Sequence, residues 1–162
     1  MNYYNQIAKS YNELYQEEQI NKLLSIKNNI KINKNTKILD VGCGNGVSSQ
    51  FDCKVVGVDP SEELVKQNPN QKIIGTAEAL PLKNSSFDLV ISITAIHNFK
   101  NIRKSISEMK RVGKEKFVFS VLRKSKRFEL IKKSIKKSFK VDKMIEEGKD
   151  TIFLCRKRKL YI

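Results

Sequence analysis

Three glycines alternate through ILDVGCGNG (38–46), directly after a run of strand-forming apolar residues, and Asp59 closes a second such run, VVGVD (55–59). Glycine gives up more backbone freedom on folding than any other residue, so a cluster of three marks a place where something approaches the main chain. A turn that leads from a parallel strand into a helix offers free N–H groups and a positive dipole end. A phosphate-binding loop would need GK[ST], which is absent, and a dinucleotide loop would read GxGxxG. Here the spacing is GxGxG, at 42, 44 and 46. A carboxylate at 59 can accept hydrogen bonds from the vicinal hydroxyls of a ribose, each charge-assisted and worth about 1.5–3 kcal/mol. Ribose recognition without a phosphate grip points to an adenosine whose other end is not a diphosphate.

A second set of polar candidates follows the apolar run FDLVIS (87–92). His97, the single histidine of the chain, and Asn98 stand just beyond it. His97 could take a proton from an incoming nucleophile, or cap the next helix. Cys43, Cys53 and Cys155 are odd in number and widely spaced, with no CxxC and no Cys/His set, which predicts a reducing, cytoplasmic setting and no metal. No apolar run has the length of a membrane span, and the N-terminal stretch lacks a signal-peptide core.

These residues need a scaffold that brings strand ends together. Runs rich in Val, Ile and Phe predict strands at 37–41, 55–59, 72–75, 87–92, 116–121, 139–145 and 150–155. The first five alternate with helical or short connections, such as 61–68 with Glu62 and Glu63 in its first turn, while only EEGK separates the last two. That reads as an α/β, Rossmann-like fold: a mostly parallel seven-stranded sheet with a C-terminal antiparallel hairpin around Gly148 and helices on both faces. At 162 residues one domain is expected, with a helical cap (1–35), a binding core (36–122) and a basic C-terminal part (123–162). The opening segment 3–32 shows helical spacing through Tyr4, Ile7, Ala8, Tyr11, Leu14 and Tyr15.

The net charge of +15 is concentrated. Residues 1–100 hold 11 basic against 10 acidic side chains, and residues 101–162 hold 21 against 7. The stretch 127–140 predicts an amphipathic helix with Phe128, Ile131, Ile135 and Phe139 on one face and lysines on the other.

The chain resembles the class I S-adenosylmethionine-dependent methyltransferases, especially the broad type 11 family. The resemblance rests on ILDVGCGNG, VVGVDPSEELV (55–65), TAEALPL (76–82), FDLVISITAIHNF (87–99) and the opening YNQIAKSYNELY (4–15), all in register from about residue 4 to 122. It implies S-adenosylmethionine as the cofactor. Asp40, Gly42, Cys43, Gly44 and Gly46 would wrap its methionine end and ribose, and Asp59 with Pro60 would meet the ribose hydroxyls. Thr76, Ala77 and Glu78 would lie by the adenine, Ser92 and Ile93 beneath the methyl donor, and Tyr4 and Tyr11 would fold over it. Three departures stand out: Thr76 where the family usually has Asp, eight residues between Gly46 and Val55, and VGKEK (112–116) in place of LKPGG. The NPPY tetrad and the catalytic Cys of other branches are absent too.

Positioning alone supplies roughly 7–11 kcal/mol to such a displacement, so a dedicated base is optional. His97 and Asn98 are the catalytic candidates. In the family topology RKSKR (123–127) would leave the fifth strand at the mouth of the site. Arg123, Lys124, Lys126, Arg127, Lys132, Lys133, Lys136 and Lys137 are thus expected to hold a polyanion such as RNA. A faint likeness of ISITAIHNF to tRNA wobble-uridine methyltransferases would bring in a small activator subunit. A small or lipidic acceptor, and a cofactor-binding subunit without activity, are the competing readings.

Overall fold

The computed structural model describes residues 3–160, with side chains from residue 13 onward. Seven strands form one sheet in the order β3-β2-β1-β4-β5-β7-β6. They are β1 (Lys37–Val41), β2 (Lys54–Asp59), β3 (Gln71–Ile74), β4 (Phe87–Ile93), β5 (Gly113–Leu122), β6 (Phe139–Glu147) and β7 (Asp150–Lys157). Strands β1 to β5 pair in parallel, and β7 runs antiparallel to both β5 and β6. The hairpin turn places Gly148 at φ +55°.

Side chains alternate between two cores. One face carries Leu39, Val41, Val56, Val58, Val90, Phe117 and Phe119, which pack with α3 (Ile102–Val112) and α4 (Phe128–Ser138). The other carries Ile38, Val55, Leu89, Ile91, Val118 and Ile152 beneath Leu23 and Ile26 of α1 (Tyr3–Asn29). This alternation is the period-2 rule of a strand buried on both faces, which reads in sequence as a continuous apolar run.

Local chemistry sets the helix limits. Ser61 caps α2 (Glu62–Gln67) by accepting from the Leu64 N–H, and Asn101 caps α3 by accepting from the Lys104 N–H. The cap of α3 is therefore Asn101, not His97. Only one 3-10 turn, Val47–Gln50, fills the short β1–β2 connection. Helix α3 passes straight into β5 at Gly113, where a Cβ would stand 2.5 Å from the Phe117 ring.

Two expectations are corrected. Helix α4 ends at Ser138, so Phe139 and Lys140 belong to β6. Phe139 fits both periods, four residues after Ile135 and first in an alternating run, and its ring packs against Phe117 and Phe119. In α1 the buried stripe is Gln19, Lys22, Leu23 and Ile26, whereas Leu14 and Tyr15 are exposed. The side chains of Tyr4 and Tyr11 lie outside the described residues.

Candidate active site

The glycine loop stands at the carboxyl ends of β1, β2 and β4, and each glycine answers a different constraint. A Cβ on Gly42 (φ +77°) would meet the Ala95 Cβ at 2.5 Å, and one on Gly46 (φ +89°) would meet the Asn68 amide at 2.3 Å. On Gly44 (φ +51°) it would enter open space. The loop is thus packed at both ends and bare in the middle, where a ligand can reach the backbone.

Asp59, almost fully buried, accepts the Gly44 N–H on Oδ2 at 3.0 Å and the Ser61 N–H on Oδ1 at 2.8 Å. Each oxygen keeps a lone pair for a further donor. Asn68, which the sequence reading missed, donates to the Gly44 carbonyl at 3.2 Å and pins the loop from below. Asp40 lies deeper and accepts from the Ser48 hydroxyl at 2.5 Å. Burial pushes the Asp40 carboxyl up to about 6; the Ser48 bond opposes that rise and the neighbouring Asp59 charge adds to it.

Two adjoining cavities open over this loop. The larger, about 360 Å³, is lined by Gly42, Asp59, Pro60, Thr76, Ala77, Glu78, Asn98, Phe99 and Lys100, with Val58, Leu64, Gly75 and Ala95. The smaller, about 190 Å³, is lined by Asp40, Cys43, Gly44, Ile93, Thr94 and Gln19 among others, and shares Gly42, Asp59, Leu64, Ala95 and Asn98 with the first. An apolar lobe suits a base, the shared Asp59 suits a sugar, and a lobe that holds two carboxylates suits a cationic tail. The residues present therefore fit an adenosine with a positively charged amino-acid end.

The expected residues divide by position. Pro60, Thr76 and Ala77 line the base lobe, while Asp40, Cys43, Gly44 and Ile93 line the tail lobe. Glu78 also faces the base lobe, yet its Oε1 accepts the Asn101 N–H at 2.9 Å. Burial works to raise its pKa, but backbone hydrogen bonds, led by that of Asn101, outweigh it and hold the carboxyl below its usual range. Gly46 lines neither lobe and serves packing against Asn68. Ser92 is fully buried and donates to the Val41 carbonyl at 2.9 Å, so it ties β4 to β1 beneath the site. The residue that reaches the lobe there is Thr94, a β-branched residue held at φ +50°. Leu64 and Gln19 were not foreseen; the exposed Leu64 on the first turn of α2 was a visible signal, and Gln19 carried none.

His97 sits in the 3-10 turn Ile96–Asn98 and lines neither lobe, whereas Asn98 lines both. The loop 123–127 leaves β5 at the cofactor edge, but its arginines are engaged. Arg127 donates to the carbonyls of His97 (3.1 Å), Phe99 (2.5 Å) and Lys100 (3.5 Å). Arg123 donates to the Asp150 carbonyl at 2.5 Å and to that of Gly148. Lys124, Lys126, Lys133, Lys136 and Lys137 are exposed, and Lys132 is half-buried.

A family model described as a methyltransferase domain matches residues 39–120, half of the chain. A protein of Methanocaldococcus jannaschii is 35% identical over 93% of this chain, which spans 62% of that relative's length. A mouse tRNA (carboxymethyluridine(34)-5-O)-methyltransferase is 29% identical over 48% of the chain, which spans 12% of it, and an ajmaline N-methyltransferase of Rauvolfia serpentina is 35% identical over 49%, spanning 33%. Among solved structures, an Anabaena variabilis protein from an antibiotic biosynthesis pathway superposes with TM-score 0.60 at 33% identity, over 64% of this chain and 45% of its own. A Pyrococcus horikoshii protein reaches TM-score 0.75 over 90% of this chain and 91% of its own, and at 20% identity that likeness is one of fold.

Proposed function

The chain belongs to the class I S-adenosylmethionine-dependent methyltransferases, and we propose that within that family it moves a methyl group from S-adenosylmethionine to RNA. The observation that carries methyl transfer is the bare Gly44 backbone beside Asp59, set between an apolar lobe and a lobe with a buried carboxylate. When bound, S-adenosylmethionine supplies an electrophilic methyl on a sulfonium. In this reading Asp59 holds the ribose hydroxyls, Asp40 faces the cationic tail, and Thr76, Ala77 and Phe99 enclose the adenine. Thr94, Ala95 and Asn98 form the rim that an acceptor must cross, so their task is alignment, which supplies roughly 7–11 kcal/mol in such reactions.

The RNA acceptor rests on the uncommitted lysines that lead away from the cofactor edge. Lys124 and Lys126 stand at the mouth, and Lys132, Lys133, Lys136 and Lys137 continue along α4. With Arg123 and Arg127 bonded to carbonyls, phosphate contacts fall to lysine point charges, which position a strand without reading its bases. The likeness to a tRNA methyltransferase supports this reading. The equally short likeness to an alkaloid N-methyltransferase favours a small acceptor instead.

Reversal of Lys132, Lys133, Lys136 and Lys137 to Glu decides between them. RNA affinity of the parent should fall steeply with salt, about 0.7 per neutralised phosphate on the log-log slope for a single strand, and the variant should lose most of it. Cofactor affinity should be unchanged. A folded variant that binds RNA like the parent, or a parent whose binding is flat with salt, rejects RNA in favour of the small acceptor. Loss of one modified nucleoside from total RNA of a strain lacking the gene would identify the methylated position.

A further inference from the structure

Among the described residues three buried side-chain nitrogen or oxygen atoms lack a hydrogen-bond partner: Gln19 Nε2, His97 Nδ1 and Asp150 Oδ1. They belong to one polar cluster at the carboxyl ends of β4 and β5. Its centre is Asp150, the first residue of β7, which is fully buried. Its Oδ2 accepts from the Thr94 hydroxyl at 2.7 Å and the Ser120 hydroxyl at 2.5 Å, and pairs with the Lys22 ammonium at 3.4 Å. Lys22, itself buried, also donates to Thr94 Oγ1 at 2.8 Å. Three groups thus crowd one carboxylate oxygen and leave the other empty. An empty, water-excluded carboxylate oxygen is unfavourable unless a donor reaches it.

The group that complements it is the imidazole of His97. Its Nδ1 is buried and unpartnered as well, and Asp150 is the charge that acts on it most strongly. We propose that Asp150 is a positioning residue for His97: Oδ1 receives the Nδ1–H, which fixes the tautomer whose Nε2 lone pair takes the acceptor's proton during methyl transfer. This rests on the methyltransferase reading above. In the balanced step the acceptor's N or O lone pair forms the bond to the methyl carbon. The carbon–sulfur bond breaks with its electron pair left on sulfur, and the acceptor's proton passes to Nε2. Burial, above all, lowers the His97 pKa; Asp150 from β7 opposes this, while Arg127 from the loop before α4 and Lys22 from α1 add to it. The imidazole is therefore neutral at pH 7, the state a base requires. Thr94 connects the cluster to the donor, because the residue that holds Asp150 also lines the tail lobe.

Because His97 is the only histidine, its ring nitrogens can be read by long-range ¹H–¹⁵N correlation without assignment. In the free wild-type protein at pH 7 the proton is expected on Nδ1, with Nε2 bare. In Asp150→Asn the Lys22 ammonium should keep the amide oxygen at the Oδ2 position, which puts the NH₂ where Oδ1 was and moves the ring proton to Nε2. A wild-type proton on Nε2, or a folded Asp150→Asn whose tautomer is unchanged, overturns the pairing. If that variant does not fold, the wild-type spectrum still decides. With tritiated S-adenosylmethionine and total RNA from a strain lacking the gene, Asp150→Asn should lower kcat at least tenfold with the donor KM within twofold, and equal kcat overturns the base role. A wild-type protein that binds S-adenosylmethionine by calorimetry yet labels no RNA rejects the RNA reading and leaves the tautomer to decide the pairing.

Discussion

On the β1–β2 side of the site the ligand-facing groups are main-chain amides and two carboxylates, all drawn from residues 40–59 and held by bonds such as Gly44 N–H to Asp59 and Asn68 to the Gly44 carbonyl. On the β4–β5–β7 side the groups are side chains, Lys22, Thr94, His97, Ser120 and Asp150, gathered from four strands and helices across most of the chain. The first half is shaped by backbone conformation, the second by a buried charge network. The contrast teaches that the two halves should fail differently: the cofactor half through strain and lost donors, the acceptor half through tautomer and alignment with the cofactor still bound.

The largest effect is expected where backbone shape is decisive. Gly46→Ala puts a Cβ 2.3 Å from the Asn68 amide at φ +89°, and overpacking plus a left-handed alanine should destabilise the fold by about 3 kcal/mol. Gly44→Ala meets no atom, so it should remain folded and lose cofactor affinity instead. Denaturant unfolding beside calorimetry separates the two. If Gly44→Ala were the less stable variant, the loop would not be bare in the middle.

Asp59→Ala comes next. It removes the carboxylate that braces Gly44 and faces the ribose, and it should weaken S-adenosylmethionine binding by about 2–3 kcal/mol. Equal affinity in the variant would remove Asp59 from the site and with it the backbone-plus-carboxylate account of this half.

A smaller effect follows from Asp40, whose carboxyl burial lifts to about 6. A raised carboxylate pKa means that the group binds a proton as pH falls through 6, and a neutral Asp40 no longer attracts a cationic tail. Affinity should be constant above pH 7 and fall to roughly a tenth by pH 5, which is the linkage expected of one such group. Asp40→Asn should be weaker at neutral pH and flat across that window. A wild-type affinity that does not change between pH 7 and pH 5 would show that Asp40 does not face the charge.

The same contrast explains what could be read in the chain beforehand. Strands β1, β2, β4 and β5, the glycine loop and Asp59 are contiguous signals, each visible within ten residues, and the hairpin announced itself through Gly148. The end of α4 was misplaced because Phe139 satisfies the helical and the strand period at once. Ser92 looked like a site residue because it closes β4, yet strand alternation turns it inward to Val41 and leaves Thr94 to reach the lobe. The Lys22–Asp150 pair joins residues 128 positions apart in a helix and a strand that show no polar signature, so no local pattern could reveal it. Arg123 and Arg127 read as two more cations in a basic run, and only folding shows their guanidinium groups bonded to carbonyls.

Arg127 is where the two halves touch, and the smallest predicted effect tests that contact. Its guanidinium leaves the basic loop and bonds the carbonyls of His97, Phe99 and Lys100, while Phe99 and Lys100 form part of the base lobe. A lysine at 127 keeps the charge but replaces a planar fork by a single point donor, so it cannot hold carbonyls of three residues in one geometry. Net hydrogen bonds of this kind are worth about 0.5–1.5 kcal/mol, and water can replace some of them at this half-buried position. Arg127→Lys should therefore weaken cofactor binding by about threefold to fivefold while the net charge, and with it non-specific RNA affinity, stays the same. Lys133→Glu, on the exposed face of α4, should do the opposite: weaker RNA binding and unchanged cofactor affinity. Calorimetry with S-adenosylmethionine and a filter-binding titration with RNA on both variants give four numbers. If Arg127→Lys binds the cofactor as tightly as the parent and loses RNA instead, Arg127 belongs with the lysines and the two halves are not joined through the loop after β4.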